Sequence, residues 1–142
     1  MIHLWTDGSV LKNGDAASPG GAAVVLISKS GDVIHWSKKA IKKLYNTTSN
    51  RAELEAVILG FLMVKKPSDV VVHSDSQYVV RCGDGTYSIN ANHDLWARLF
   101  ELCKPHTISW EWVRGHKGIY YNEQAHCLAE KAMRDASGIV EG

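Results

Sequence analysis

The sequence predicts an α/β fold: a five-stranded mixed sheet, made of a three-strand antiparallel meander plus parallel strands, with helices on both faces. Three observations predict it. Strand-like alternation opens the chain, and two further apolar runs follow, joined by a short Gly-Asp turn. From residue 51 onward, helical apolar stripes alternate with β-branched or alternating runs, the pattern of crossover connections. Finally, the first and fourth strands both deliver an aspartate, Asp7 and Asp75, to the loop that follows. If those strands are parallel neighbours, both carboxylates leave the sheet at one edge, where the ligand groups of open α/β sheets collect.

The elements follow in order. Ile2–Ser9 alternates apolar and more polar residues and ends on Asp7-Gly8-Ser9, which taken alone is ordinary turn chemistry. Leu11–Gly21 is rich in Gly, Asn and Asp and is expected to be irregular. Ala22–Ile27 reads as a buried strand, Ser28–Asp32 as a turn and Val33–Lys38 as the returning strand. Lys38, Lys39, Lys42 and Lys43 cluster just beyond it. They suit either a solvated sheet edge that discourages pairing with other sheets or contact with a polyanion. Tyr45–Asn50 is a polar approach to a helix over 51–66, with Ser49 as the capping residue, Leu54, Val57, Ile58, Phe61, Leu62 and Met63 as the apolar face, and Pro67 as the stop. Glu53 falls in the first turn, where the helix dipole favours a carboxylate whatever its function.

Asp69–Asp75 is a β-branched strand, and a short helix over 77–80 follows. Gly83-Asp84-Gly85 breaks the chain before a helix over 94–104 that Pro105 stops. Thr107–Val113 alternates as the last strand, Arg114–Gly118 is a loop and 122–136 is the last helix, with a frayed tail from about residue 137. No internal repeat or linker interrupts this order, so residues 1–142 are read as a single domain.

Composition narrows the function classes. A chain of 142 residues can bury one real core. A net charge near +1 gives no global electrostatic case for nucleic acid, so any such case must rest on local patches. Three cysteines without a CxxC spacing argue against a disulfide framework or a zinc site and for a reducing compartment. With no signal peptide or spanning apolar run, the expectation is a cytoplasmic protein with no membrane partner.

Glu53 opens the helix between the two aspartate-bearing strands, and a right-handed crossover brings its start towards the same sheet edge. Three convergent carboxylates repel one another unless a cation sits among them. Hard oxygen ligands with water access suit Mg²⁺ or Mn²⁺ rather than zinc, and a pair of such ions about 4 Å apart is the usual device for in-line phosphoryl transfer.

Thr6-Asp7-Gly8-Ser9, then Thr48-Ser49-Asn50-Arg51-Ala52-Glu53-Leu54, then Ser74-Asp75-Ser76-Gln77-Tyr78, then Trp110–His116 resemble type 1 ribonuclease H. Order and approximate spacing match over nearly the whole chain. The resemblance implies a ribonuclease H-like fold and an endonuclease that hydrolyses the RNA strand of RNA–DNA hybrids with two divalent ions, leaving 5′-phosphate and 3′-hydroxyl ends; a monomer is the expectation for its assembly. It implies that Asp7, Glu53 and Asp75 bind metal, with Asp7 bridging both ions. His116, on the loop after the last strand, would assist turnover or proton transfer, as a titrating imidazole can near neutral pH. Asn50 and Gln77 would reach the minor groove, where 2′-hydroxyls mark RNA. Thr48 would hold a DNA-strand phosphate, with Asn13 nearby.

Two departures stand out. The family places a fourth carboxylate on the last helix, and counting on from His116 that position is His126, with Glu123 one turn earlier. Either His126 ligates the second ion, or Glu123 reaches in, or the site works with three carboxylates and water; a helix histidine without metal contact is the bland alternative. Second, many bacterial relatives insert a basic helix and loop between the positions of Val80 and Leu95. Here that stretch holds one arginine and two aspartates. Phosphate contacts are thinned, and weaker, salt-sensitive hybrid binding is expected, with the Lys38–Lys43 cluster as a partial substitute. The rivals are a hybrid-binding module without hydrolysis, a resolvase- or integrase-type nuclease, and a detached reverse-transcriptase domain. A pure binder has no need of clustered carboxylates, and the second class does not require Asn50 with Gln77.

Overall fold

The computed structural model describes residues 1–12, 18–114 and 119–138. Its elements run β1 (Ile2–Val10), β2 (Ser18–Ser30), β3 (Val33–Thr47), α1 (Ser49–Leu62), β4 (Asp69–Ser74), α2 (Gln77–Gly83), α3 (His93–Cys103), β5 (Thr107–Trp112) and α4 (Tyr120–Ser137). The expected order of elements is observed. The five strands form one sheet in the order β3-β2-β1-β4-β5. β1–β2 and β2–β3 are antiparallel, whereas β1–β4 and β4–β5 are parallel. The first and fourth strands are thus the parallel neighbours that the convergence of carboxylates requires.

The period-2 alternation of the strands sorts side chains between two cores. Leu4, Val24, Leu26, Val70 and Val72 face α1, α2 and α3 and meet Leu54, Ile58, Val79, Trp96 and Leu99. Val25 and Ile27, with Trp5 beside them, face α4 and pack on Ala125. Alanines at 125, 129 and 132 let α4 lie close on the sheet. At Gly21 the approach is so close that a Cβ would stand 2.3 Å from the Ala129 carbonyl oxygen.

Several boundaries differ from the sequence expectation. β2 begins at Ser18, inside the stretch expected to be irregular. Gly20 and Gly21 pair with Val10 and Ser9, and Pro19, which has no N–H to give, sits at a register irregularity where its carbonyl accepts from Leu11 N. β3 runs on to Thr47, so the lysine cluster lies within the edge strand instead of beyond it. The α1 cap is Thr48, one residue earlier than expected, its hydroxyl accepting from Arg51 N at 3.3 Å. α1 ends at Leu62, before Pro67, because Met63 N and Val64 N bond three residues back, to Gly60 and Phe61, and tighten the last turn. Leu62 is consequently exposed. α2 reaches Gly83, α4 begins at Tyr120, and Ser137 is still helical, with Gly138 capping the helix at φ 76°. The rest of the expected frayed tail, from residue 139, lies outside the described residues.

Candidate active site

Asp7 lies near the C-terminal end of β1, and alternation turns it to the α4 side of the sheet, level with Ala23 of β2. It is nearly fully buried. Thr6, also buried, ties β1 to β4 by donating its hydroxyl to the His73 carbonyl at 3.2 Å. Asp75 follows β4 directly and is set between two serines. Ser74 Oγ accepts from Ser76 N at 3.1 Å, and Ser76 Oγ caps α2 by accepting from Val79 N at 3.2 Å. From β5, Trp112 Nε1 donates to the Asp75 carbonyl at 3.2 Å. The turn that carries the carboxylate is therefore held on both sides.

Glu53 arrives from the opposite face as the fifth residue of α1, just past the first turn in which the sequence placed it, because the helix starts at Ser49. Gly8 makes this approach feasible: a Cβ there would stand 2.5 Å from Ala52 C and 2.5 Å from Glu53 N. The Asp-Gly dipeptide that reads as turn chemistry is, in the structure, a strand position stripped of its side chain so that a helix can land on it.

Ligand atoms of Asp7, Glu53 and Asp75 all lie within 4.8 Å of one another. Glu53 is 7 % exposed, and its Oε2 has no hydrogen-bond partner among the described residues. Burial pushes the Glu53 carboxyl well above the usual carboxylate range, and the neighbouring Asp7 and Asp75 charges push it the same way. A buried carboxylate oxygen without a donor, facing two further carboxylates, fits a hard divalent cation.

His126, on α4, brings Nδ1 to 2.8 Å from Asp7 Oδ2 and is partly exposed. Glu123 stands exposed in the first turn of α4. Sequence reasoning missed Glu130, whose Oε2 is 3.5 Å from His126 Nε2 and whose Oε1 accepts from Arg134 at 2.7 Å. Its i,i+4 spacing from His126 was the available signal.

Around this cluster the substrate candidates separate. Thr48 is the half-buried α1 cap, and Asn50 and Gln77 are exposed at the starts of α1 and α2. Arg51, between Asn50 and Glu53, reaches α3: Nη1 and Nη2 donate to Asp94 Oδ1 and Oδ2 at 2.9 and 2.8 Å, and Nη1 also donates to Asn92 Oδ1. Asn92 Nδ2 and Trp96 Nε1 both donate to the Tyr78 hydroxyl. Sequence reasoning did not assign this network either, although it fixes the starts of α1, α2 and α3 to one another. Asn13 and His116 lie outside the described residues. Asp84–Asn92 carries no helix, only a turn in which Asp84 Oδ1 accepts from Thr86 N.

The profile of the RNase H family matches residues 1–134. The ribonuclease H of Pseudomonas syringae pv. syringae is 35% identical, over 99% of this chain and 97% of that protein. The ribonuclease H of Actinobacillus succinogenes is 37% identical, over 95% and 91% respectively. Among solved structures, LC9-RNase H1, described as a type 1 RNase H with the type 2 active-site motif, superposes with a TM-score of 0.81 at 28% identity, over 95% of this chain and 72% of that one. The N-terminal RNase H domain of a Mycobacterium tuberculosis protein shares the fold, with a TM-score of 0.72 at 22% identity.

Proposed function

Because the chain belongs to the RNase H family, whose activity is hydrolysis of the RNA strand of RNA–DNA hybrids, we propose that it cuts that strand internally with two divalent cations, Mg²⁺ or Mn²⁺, leaving 5′-phosphate and 3′-hydroxyl ends. The observation that carries this reading is the convergence of Asp7, Glu53 and Asp75 on one buried point, with a Glu53 oxygen left without a donor. Asp7, Glu53, Asp75 and His126 are the residues that would hold the ions. Bound there, the ions supply a nucleophilic water and steady the leaving 3′ oxygen.

The chain's own residues do the rest. Ser74, Ser76 and Trp112 hold the backbone that carries Asp75, and Thr6 ties the strand that carries Asp7 to β4, so both carboxylates hang from a fixed backbone and little reorganisation is needed when substrate arrives. His126 takes the place of a fourth carboxylate, and its imidazole suits Mn²⁺ better than Mg²⁺. LC9-RNase H1, a type 1 RNase H with the type 2 active-site motif, is a case in which type and active-site motif part company. Asn50 and Gln77 read the minor groove, Thr48 holds a DNA-strand phosphate with Asn13 beside it, and His116 serves proton transfer or turnover. The same reading takes residues 1–142 as one domain acting as a monomer in the cytoplasm. Among the described residues no helix is long and apolar enough to cross a membrane, and all three cysteines are free.

The test is cleavage of a labelled RNA–DNA hybrid with Mg²⁺ and with Mn²⁺ separately, beside single-stranded RNA and duplex DNA. Metal-dependent cuts confined to the RNA of the hybrid are expected. Cleavage of duplex DNA with the hybrid left intact would overturn the reading, and tight hybrid binding without any cleavage would leave a binding module in its place.

A further inference from the structure

α1 does not cover the whole of the face it packs on. It ends at Leu62, and beyond its last turn the corner where β1 begins and β2 meets β3 stays open. Ile2, Ser28 and Trp36 share this face and one another's register. They lie at the end of β1 away from Asp7, roughly 16 Å along the strand at about 3.3 Å per residue. The opening is a cavity of about 540 Å³, within the range of about 300–1,000 Å³ typical of small-molecule sites.

Two kinds of surface meet in it. Ile2, Met63 and the Trp36 ring give an apolar floor and wall, and Trp36 keeps 38 % of its surface exposed. Lys38, Lys65 and Lys66 stand at its margin, against one carboxylate, Asp69. Lys38 Nζ rests 5.1 Å from the centre of the Trp36 ring, which keeps a flat aromatic face and a cation together in one mouth. Lys65 Nζ is anchored to the Leu62 carbonyl at 3.1 Å, so its charge is held at the helix end instead of ranging free. Such a cavity asks for a ligand with a flat apolar ring at one end and more than one negative charge at the other.

We propose that this corner is a second ligand site, separate from the carboxylate cluster, and that its occupant is a free nucleoside monophosphate, the base lying on the Trp36 side and the phosphate among Lys38, Lys65 and Lys66. Charge complementarity selects the anion, and the exposed indole selects an aromatic body over an aliphatic one. The site is independent of the proposed hydrolysis, which uses the other end of the sheet.

The test is titration of the whole protein, in chelator, with uridine and adenosine 5′-monophosphate, followed by amide and indole NMR shifts. Saturable shifts are expected at Trp36, Ser28 and residues 63–66, without shifts at Asp7, Glu53 or Asp75. Uridine alone and inorganic phosphate alone should each bind about tenfold more weakly than the nucleotide. Trp36→Ala and the double variant Lys65→Gln/Lys66→Gln should each weaken binding about fivefold or more, and Asp69→Asn, which only removes a repelling charge, should tighten it. Hybrid cleavage should stay at its starting rate in all three. No saturable shift up to about 10 mM nucleotide, equal binding of inorganic phosphate, or an affinity indifferent to these variants would overturn the proposal. So would a short single-stranded oligonucleotide occupying the corner where the mononucleotide does not.

Discussion

Glu53 shows how much one residue can owe to its surroundings. Its carboxyl is raised by burial first and by Asp7 and Asp75 second. A carboxyl whose folded value exceeds its unfolded one holds its proton longer in the native state, so the native state loses stability as pH rises out of the ordinary carboxylate range, near about 4.3. In chelator, Glu53→Gln should therefore melt at a higher temperature than the parent at neutral pH. The gap should close as pH falls towards that range, and hydrolysis should be lost at every pH. A melting temperature lowered by the substitution at neutral pH would show that the charge is not under strain. At Asp7, Asp7→Asn should abolish cleavage. The His126 series should be graded: His126→Ala lowers the rate and His126→Asp preserves it. A His126→Ala enzyme indistinguishable from the parent in both Mg²⁺ and Mn²⁺ would remove His126 as a ligand. The carboxylates were legible in the sequence because strand ends and a helix start announce where they emerge. Trp112 and Glu130 were not, because what they touch depends on how β5 lies beside β4 and on which way one helix face turns.

Elements position these residues, and two glycines decide how closely. Gly8 admits the first turn of α1, and Gly21 admits α4. A methyl group at either position meets backbone atoms that cannot turn aside, so Gly8→Ala and Gly21→Ala should each destabilise by about 1–3 kcal/mol as overpacked sites do. Their effects on chemistry should differ. Gly8→Ala displaces the helix that carries Glu53 and should cost cleavage with either metal, whereas Gly21→Ala displaces the helix that carries His126 and should resemble His126→Ala. Denaturant midpoints and cleavage rates in each metal separate the two. The Arg51 fork is the other constraint between elements. Its hydrogen bonds pull the Asp94 carboxyl down to about 2. Because the folded value is the depressed one, this support is complete above the ordinary aspartate range and is lost as pH falls towards 2. Asp94→Asn should lower the denaturant midpoint at neutral pH, by a margin that narrows steadily below about pH 4. The type and order of every element could be read from periodicity, but the length of β3 could not. Its lysines break the apolar pattern, and β3 needs no such pattern because its faces are left largely uncovered, with only Leu44 and Thr47 buried.

At the scale of the whole molecule the unanswered demand is electrostatic. The stretch from Asp84 to Asn92 supplies no basic helix, and the chain's net charge is only +1. The lysines of β3 are the obvious substitute, yet their register divides them. Lys39 and Lys43 pair with Val25 and Gly21 on the α4 side, while Lys38 and Lys42 pair with Leu26 and Ala22 on the α1 side. Lys42 is already bonded to Glu55 at 3.0 Å. No single duplex surface meets all four. What they do share is the outer edge of the sheet, fifteen residues long, where Val33, Ile34, Trp36, Ile41 and Tyr45 are also exposed. An unpaired edge of that length and apolarity invites another strand, and lysines are the usual deterrent. Replacing the four lysines by glutamine should therefore leave the salt dependence of hybrid affinity unchanged and promote self-association, seen as a concentration-dependent mass in light scattering. Were the strip a hybrid grip instead, each lost phosphate contact would flatten the slope of log affinity against log salt by about 0.9, and the variant would self-associate no more than the parent.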